Sequence, residues 1–90
     1  MINIDELKKK IIYRSNYRGT KEMDKLLSSF TTKYIDELDK QDLLDLENLL
    51  KIDDSNLFAF FRGSNVNVKI DHNKVSQLFK NFKYENFNDN

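Results

Sequence analysis

Two guanidinium groups, one glycine and one carboxylate fall within nine residues of each other, at Arg14, Arg18, Gly19 and Glu22. The chain carries three arginines against twelve lysines, so positive charge alone is ordinarily supplied here by lysine. A guanidinium adds what an ammonium lacks: a planar fork of donors matched to carboxylates, phosphates and backbone carbonyls. Gly19 is one of only two glycines, and a residue without a side chain lets another surface come close. Tyr17 supplies an aromatic ring of the kind enriched at interface hot spots. These types at this spacing are suited to polar gripping of a partner.

The same residues also have a purely local reading. Gly19 can serve as the N-cap of a helix, with Glu22 at the third helical position reaching back to the cap's N–H. Glu22 would then lie near the positive end of the helix dipole, and Arg18 could pair with it. In the functional reading, Gly19 is a bare notch for a partner's backbone, flanked by Arg18 and Glu22, with Tyr17 and Arg14 alongside. The two readings are compatible, because a cap can shape a surface that is then used for binding.

Catalytic chemistry has little to work with. The chain has no cysteine, which excludes disulfides, thiolate metal sites and cysteine nucleophiles. His72 is the single histidine. Phosphate-cradling and dinucleotide-binding glycine motifs are missing. Asp36, Glu37, Asp39, Asp42, Asp45 and Glu47 do not follow the spacing of a calcium loop and read as a solvated face. Fifteen basic and fifteen acidic residues cancel, which argues against nucleic acid as the partner, and Lys8-Lys9-Lys10 reads as wet surface. No apolar run reaches membrane-spanning length. The opening Met1-Ile2-Asn3-Ile4-Asp5-Glu6 resembles neither a secretory signal nor a transit peptide. The expectation is a non-enzymatic protein that acts where it is made, without membrane insertion, in a bacterial cytoplasm ahead of a mitochondrial matrix.

The elements that must position the loop follow from apolar spacing. Ile4, Leu7, Ile11 and Ile12 predict a first helix with Lys8, Lys9, Lys10 and Arg14 on its wet side. Ser15 to Gly19 reads as a short turn. A second helix starts near Gly19 or Thr20 and carries Met23, Leu26, Leu27, Phe30 and Tyr34, ending between Ser29 and Asp36. Asp39 is a candidate cap for a third helix built on Leu43, Leu46, Leu49 and Leu50. Asp53-Asp54-Ser55 caps a fourth, bearing Leu57, Phe58, Phe60 and Phe61, with Arg62 and Gly63 suited to its C-terminus. Val66, Val68 and Ile70 alternate with polar residues without an obvious partner strand and read as an extended linker. Asp71 or Asn73 caps a last helix through Val75, Leu78, Phe79 and Phe82, and residues 84–90 form a polar tail that frays. The expected fold is all-α: residues 1–90 as one small bundle of about five short helices.

With these residues in view, the chain resembles the SdhE-type succinate dehydrogenase assembly factors. The resemblance is carried by Arg14-Ser15-Asn16-Tyr17-Arg18-Gly19-Thr20-Lys21-Glu22-Met23-Asp24, followed by Leu26-Leu27 and Phe30. The core of that pattern is Arg-Gly-x-x-Glu between a basic helix and a leucine-rich one. Leu49 to Phe58 resembles the family's leucine-rich segment, acidic turn and aromatic helix, and the register continues through Gly63 to Val75–Phe82. Three positions depart from the pattern. Thr20 stands where methionine is common, Tyr17 where a basic residue is common, and Phe60 where tryptophan is common. The first two alter the contact surface, and Phe60 keeps an aromatic ring in the packing.

The resemblance implies a small helical bundle that binds the flavoprotein subunit of succinate dehydrogenase, and often that of fumarate reductase. It implies promotion of covalent FAD attachment to a histidine of that subunit. It places Gly19 and Glu22 in the functional motif, with Arg18 beside them. FAD would act in the partner, with no cofactor bound by this chain itself. The residues taken without the resemblance also fit an interaction module for another partner, such as a toxin to be neutralised. Neither reading sets the oligomeric state.

Overall fold

Helix α1 (Ile4–Asn16) begins on Asn3, whose side chain accepts from the N–H groups of Asp5 and Glu6. The computed structural model of the chain describes residues 3–83, and the expected fraying of residues 84–90 lies outside them. Leu7 and Ile11 turn into the core. Ile12, grouped with the core by its spacing, is instead 44% exposed. The apolar stripe continues from Ile11 to Ser15, one turn further along the same face. Ser15 is therefore helical rather than part of the turn. It is fully buried, donates to the Ile11 carbonyl at 2.8 Å, and meets the Thr31 hydroxyl at 2.6 Å.

Helix α2 (Lys21–Tyr34) starts on Thr20, whose hydroxyl accepts from the N–H of Met23. Met23, Leu26, Leu27 and Phe30 are buried. The helix ends at Tyr34, within the expected range, and runs through the β-branched Thr31-Thr32 pair, where Thr31 is buried and held by Ser15 of α1. Helix α3 (Lys40–Leu49) opens with the expected Asp39 cap, made reciprocal by Asp42. Helix α4 (Asp54–Arg62) starts on Asp53 and ends on Gly63 at φ 77°, the left-handed closure that favours glycine. Residues 64–73 contain no strand and lead to helix α5 (Lys74–Lys80), capped by Asn73 with Ser76. Helix α5 ends before Phe82, which the apolar spacing had placed inside it. The Phe82 ring packs instead on Phe30 and Tyr34, at centroid distances of 5.3 and 6.3 Å.

Among the described residues, five helices thus share one core. Helix α1 packs on α2 and α3, and α5 packs on α3 and α4. Phe30 sits at its centre, wholly buried, with Phe79 edge-on at 5.3 Å. Burying a side chain of this size contributes roughly 1.5–3 kcal/mol. The Lys8-Lys9-Lys10 run joins elements: Lys8 meets Asp36 at 3.1 Å and Lys10 meets Glu47 of α3 at 3.2 Å. No described helix is long and apolar enough to cross a membrane.

Candidate partner-binding loop

The α1–α2 connection is braced against the turn between α3 and α4, and Arg18 is the brace. Its Nε donates to Asp54 Oδ1 at 2.8 Å, Nη1 to the Leu50 carbonyl at 2.6 Å, and Nη2 to the Ile52 carbonyl at 2.7 Å. The last carbonyls of a helix have no partner within it. Leu50 is the C-cap of α3, so a cation there is favoured by the dipole as well as by the hydrogen bonds. Asp54 opens α4, where negative charge is favoured for the mirror-image reason. One side chain therefore ties the end of α3 and the start of α4 to the loop. Arg18 is only 11% exposed and Asp54 22%.

Asp54 makes a second contact with the loop. Its Oδ2 accepts from the Gly19 N–H at 2.9 Å. A Cβ built on Gly19 would stand 3.3 Å from that same oxygen. Gly19 does not have the positive φ that makes Gly63 special. Its absent side chain gives clearance for the Asp54 carboxylate, while the residue remains exposed. A third tie comes from Asp24 in the first turn of α2, whose Oδ1 accepts from the Arg18 N–H at 2.6 Å.

Two local expectations need correction. Thr20, not Gly19, caps α2. Glu22 is then the second helical residue, not the third, and cannot close a capping box with Gly19. Arg18 pairs with Asp54, not with Glu22. Its acid and carbonyl acceptors are this chain's own.

Glu22 is consequently left exposed, without a hydrogen bond or ion pair among the described residues. It lies on the rim of a shallow groove of about 260 Å³, with Thr20, Met23, Asp54, Ser55 and Phe58. Arg14 is exposed on α1. Tyr17, the C-cap of α1, is 70% exposed and its ring lies 4.5 Å from that of Tyr13. Of the five residues singled out in the sequence, Arg14, Tyr17, Gly19 and Glu22 face outward and Arg18 faces in. Tyr13, Asp24 and Asp54 went unrecognised. For Asp54 the signal was a surplus acid: one cap was needed in Asp53-Asp54 and two carboxylates stood there. For Tyr13 it was the four-residue spacing from Tyr17 on one helix face.

Asp53, beside the brace, accepts from the side chain and the N–H of Asn56. Those bonds, the side-chain one first, hold its carboxyl below the ordinary value of 3.8.

Fold and loop together define a class: a small helical protein, with five helices among the described residues, whose exposed turn is locked onto its own scaffold. The chain belongs to the family of flavinators of succinate dehydrogenase, which matches residues 9–83. It is similar to the succinate dehydrogenase assembly factor 2, mitochondrial, of Dictyostelium discoideum. The two are 42% identical over 55 residues, covering 61% of this chain and 39% of that protein. It is also similar to the FAD assembly factor SdhE of Acetobacter pasteurianus. Here identity is 33% over 61 residues, covering 68% of this chain and 56% of that protein. The chain spans about half the length of the curated relatives it matches. No solved structure gives a significant match.

Proposed function

We propose that this protein binds the flavoprotein subunit of succinate dehydrogenase, and that of fumarate reductase where one is present, and promotes covalent attachment of FAD to it. The observation that carries the proposal is the family match over residues 9–83, a range that includes the braced loop and its unpaired Glu22. The relatives named as succinate dehydrogenase and FAD assembly factors support the same reading. In it the chain is a helper and not an enzyme. FAD and the histidine it joins both belong to the partner. Aligning two reacting groups is a large effect, because orientation contributes several kcal/mol to a barrier. A helper that prefers the competent conformer of the flavoprotein raises its population by as much as the two affinities differ.

Each loop residue has a part in this. Gly19 lets the partner approach the backbone closely. Glu22, with no internal partner, organises polar groups or water near the flavin site. Arg18 keeps the loop in register from inside. The work is done in the compartment where the flavoprotein matures, which we take to be a bacterial cytoplasm. The test is a deletion strain, read by in-gel flavin fluorescence of the flavoprotein and by co-purification of the two proteins. Covalent FAD should fall in the deletion and return on complementation. Undiminished covalent flavin in the deletion strain would sink the proposal.

A further inference from the structure

We propose that the outer face of α1 is a second contact surface, and that it takes an acidic segment of the same flavoprotein partner. This rests on the function proposed above and extends it from the loop to the helix before it. Lys10, Tyr13, Arg14 and Tyr17 recur at spacings of three and four, so they form one stripe along α1. It is distinct from the inward stripe of Leu7, Ile11 and Ser15. Two tyrosines dominate it, 64% and 70% exposed, with ring centroids 4.5 Å apart and planes inclined by 35°. A pair of rings that touch each other yet stay this exposed is apolar area covered by nothing in the described chain.

Charge selects the occupant. Arg14 is exposed and has no ion pair or hydrogen bond among the described residues. Lys9 is exposed and equally unpaired, and Lys10 is held upright by Glu47 at 3.2 Å while remaining 57% exposed. The acids on α1 itself, Asp5 and Glu6, lie in its first turn, at the opposite end from Tyr17. Beyond the helix, Glu22 stands five residues after Tyr17, on α2, and Asp24 is taken up by the Arg18 N–H. Lys10, Tyr13, Arg14, Tyr17 and Arg18 together border a cleft of about 330 Å³. A carboxylate laid along it meets the free fork of Arg14, while the neighbouring side chain packs on the tyrosine faces. Such a surface continues directly into the Arg18–Gly19 loop, so one partner can cover both.

The experiment measures binding of purified full-length chain to the isolated flavoprotein subunit at two salt concentrations. The variants are Tyr13→Ala/Tyr17→Ala, Arg14→Glu and Arg14→Lys, with Glu22→Ala as the loop control. Circular dichroism melts confirm that each variant is folded. The tyrosine pair should weaken binding about tenfold or more, as hot-spot aromatics do. Arg14→Glu should weaken it most at low salt, with a difference that shrinks as salt rises, and Arg14→Lys should restore part of the loss. If the wild type binds, Glu22→Ala weakens binding and the α1 variants bind like wild type, this inference is overturned and the loop reading stands. Failure of the wild type to bind removes both. A change of oligomeric state, or of salt-sensitive binding to a mixed-sequence RNA, in place of flavoprotein binding would assign the stripe to another occupant and also overturn it.

Discussion

Replacing Asp54 with alanine is the sharpest test of how the loop is built. The substitution removes the acceptors of two hydrogen bonds, from Arg18 Nε at 2.8 Å and from the Gly19 N–H at 2.9 Å. It also leaves a guanidinium that is only 11% exposed without its counter-charge. A hydrogen bond to a charged group contributes about 1.5–3 kcal/mol, and an orphaned partner adds a desolvation cost. Breaking a fully buried pair costs roughly 3–5 kcal/mol, and exposed pairs contribute under about 1. This pair lies between those limits, and Arg18 retains the Leu50 and Ile52 carbonyls. The loss should be about 2–3 kcal/mol, a large share of the ~5–15 kcal/mol that holds a domain together. For a chain of this length that lowers the melting temperature by roughly 8–24 °C. Thermal and urea melts followed by circular dichroism measure it. Asp54→Asn keeps one acceptor and should fall between. A cycle with Arg18→Ala should show coupling of order 1–2 kcal/mol, since the two side chains share one network. An Asp54→Ala protein melting within about 2 °C of wild type would refute the idea that Arg18 braces the loop.

Glu22→Ala should leave the melt within about 0.5 kcal/mol of wild type, because the side chain is exposed and has no internal partner. The same variant should lower covalent flavin in the partner, read by in-gel fluorescence. Phe30→Ala should cost about 3–5 kcal/mol, given complete burial among the rings of Tyr34, Phe79 and Phe82, and urea midpoints check it. Asp53 has its folded pKa lowered by Asn56. Its contribution is therefore fully present above the unfolded value of 3.8 and is lost as pH falls from there through the lowered folded value. Asp53→Asn, which keeps a capping oxygen, should flatten that part of the acid limb in pH-dependent melts. An unchanged acid limb would deny Asp53 this role.

Most of the architecture was legible because it depends on local rules. Apolar spacing located the five helices of the described residues, and the caps at Asp39, Asp53, Asn73 and Gly63 are side-chain or φ effects confined to a few residues. The cap of α2, Thr20 in place of Gly19, is a local miss. Ser15, Phe82 and Arg18 were misread for another cause, which is tertiary contact. Ser15 looked like a turn residue until Thr31, sixteen positions on, gave its hydroxyl a buried partner. Phe82 follows helical spacing, yet its ring is placed by Phe30 and Tyr34 after α5 has ended. In the loop, rarity of residue type marked the segment that Asp24 and Asp54 tie down. It could not show which way Arg18 turns, since that is decided by Asp54, thirty-six residues away.

The inward turn of Arg18 changes how the loop can bind. Ordering a free backbone costs about 1–2 kcal/mol per residue. A floppy connection over residues 17–20 would therefore lose roughly 4–8 kcal/mol of binding free energy on docking. Here that ordering occurs when the protein folds, through the bonds from the Arg18 side chain to Asp54, Leu50 and Ile52, and from the Arg18 and Gly19 N–H groups to Asp24 and Asp54. In the function proposed above, the partner would meet a surface already set. Glu22 is then presented from the first turn of a capped helix, at a fixed distance from an exposed glycine whose N–H is already satisfied. Arg18 and Glu22 accordingly do opposite things within one short motif. The first spends its donors inside the chain so that the second can keep its acceptors free, and substitutions at the two positions should separate, one lowering stability and binding together, the other binding alone.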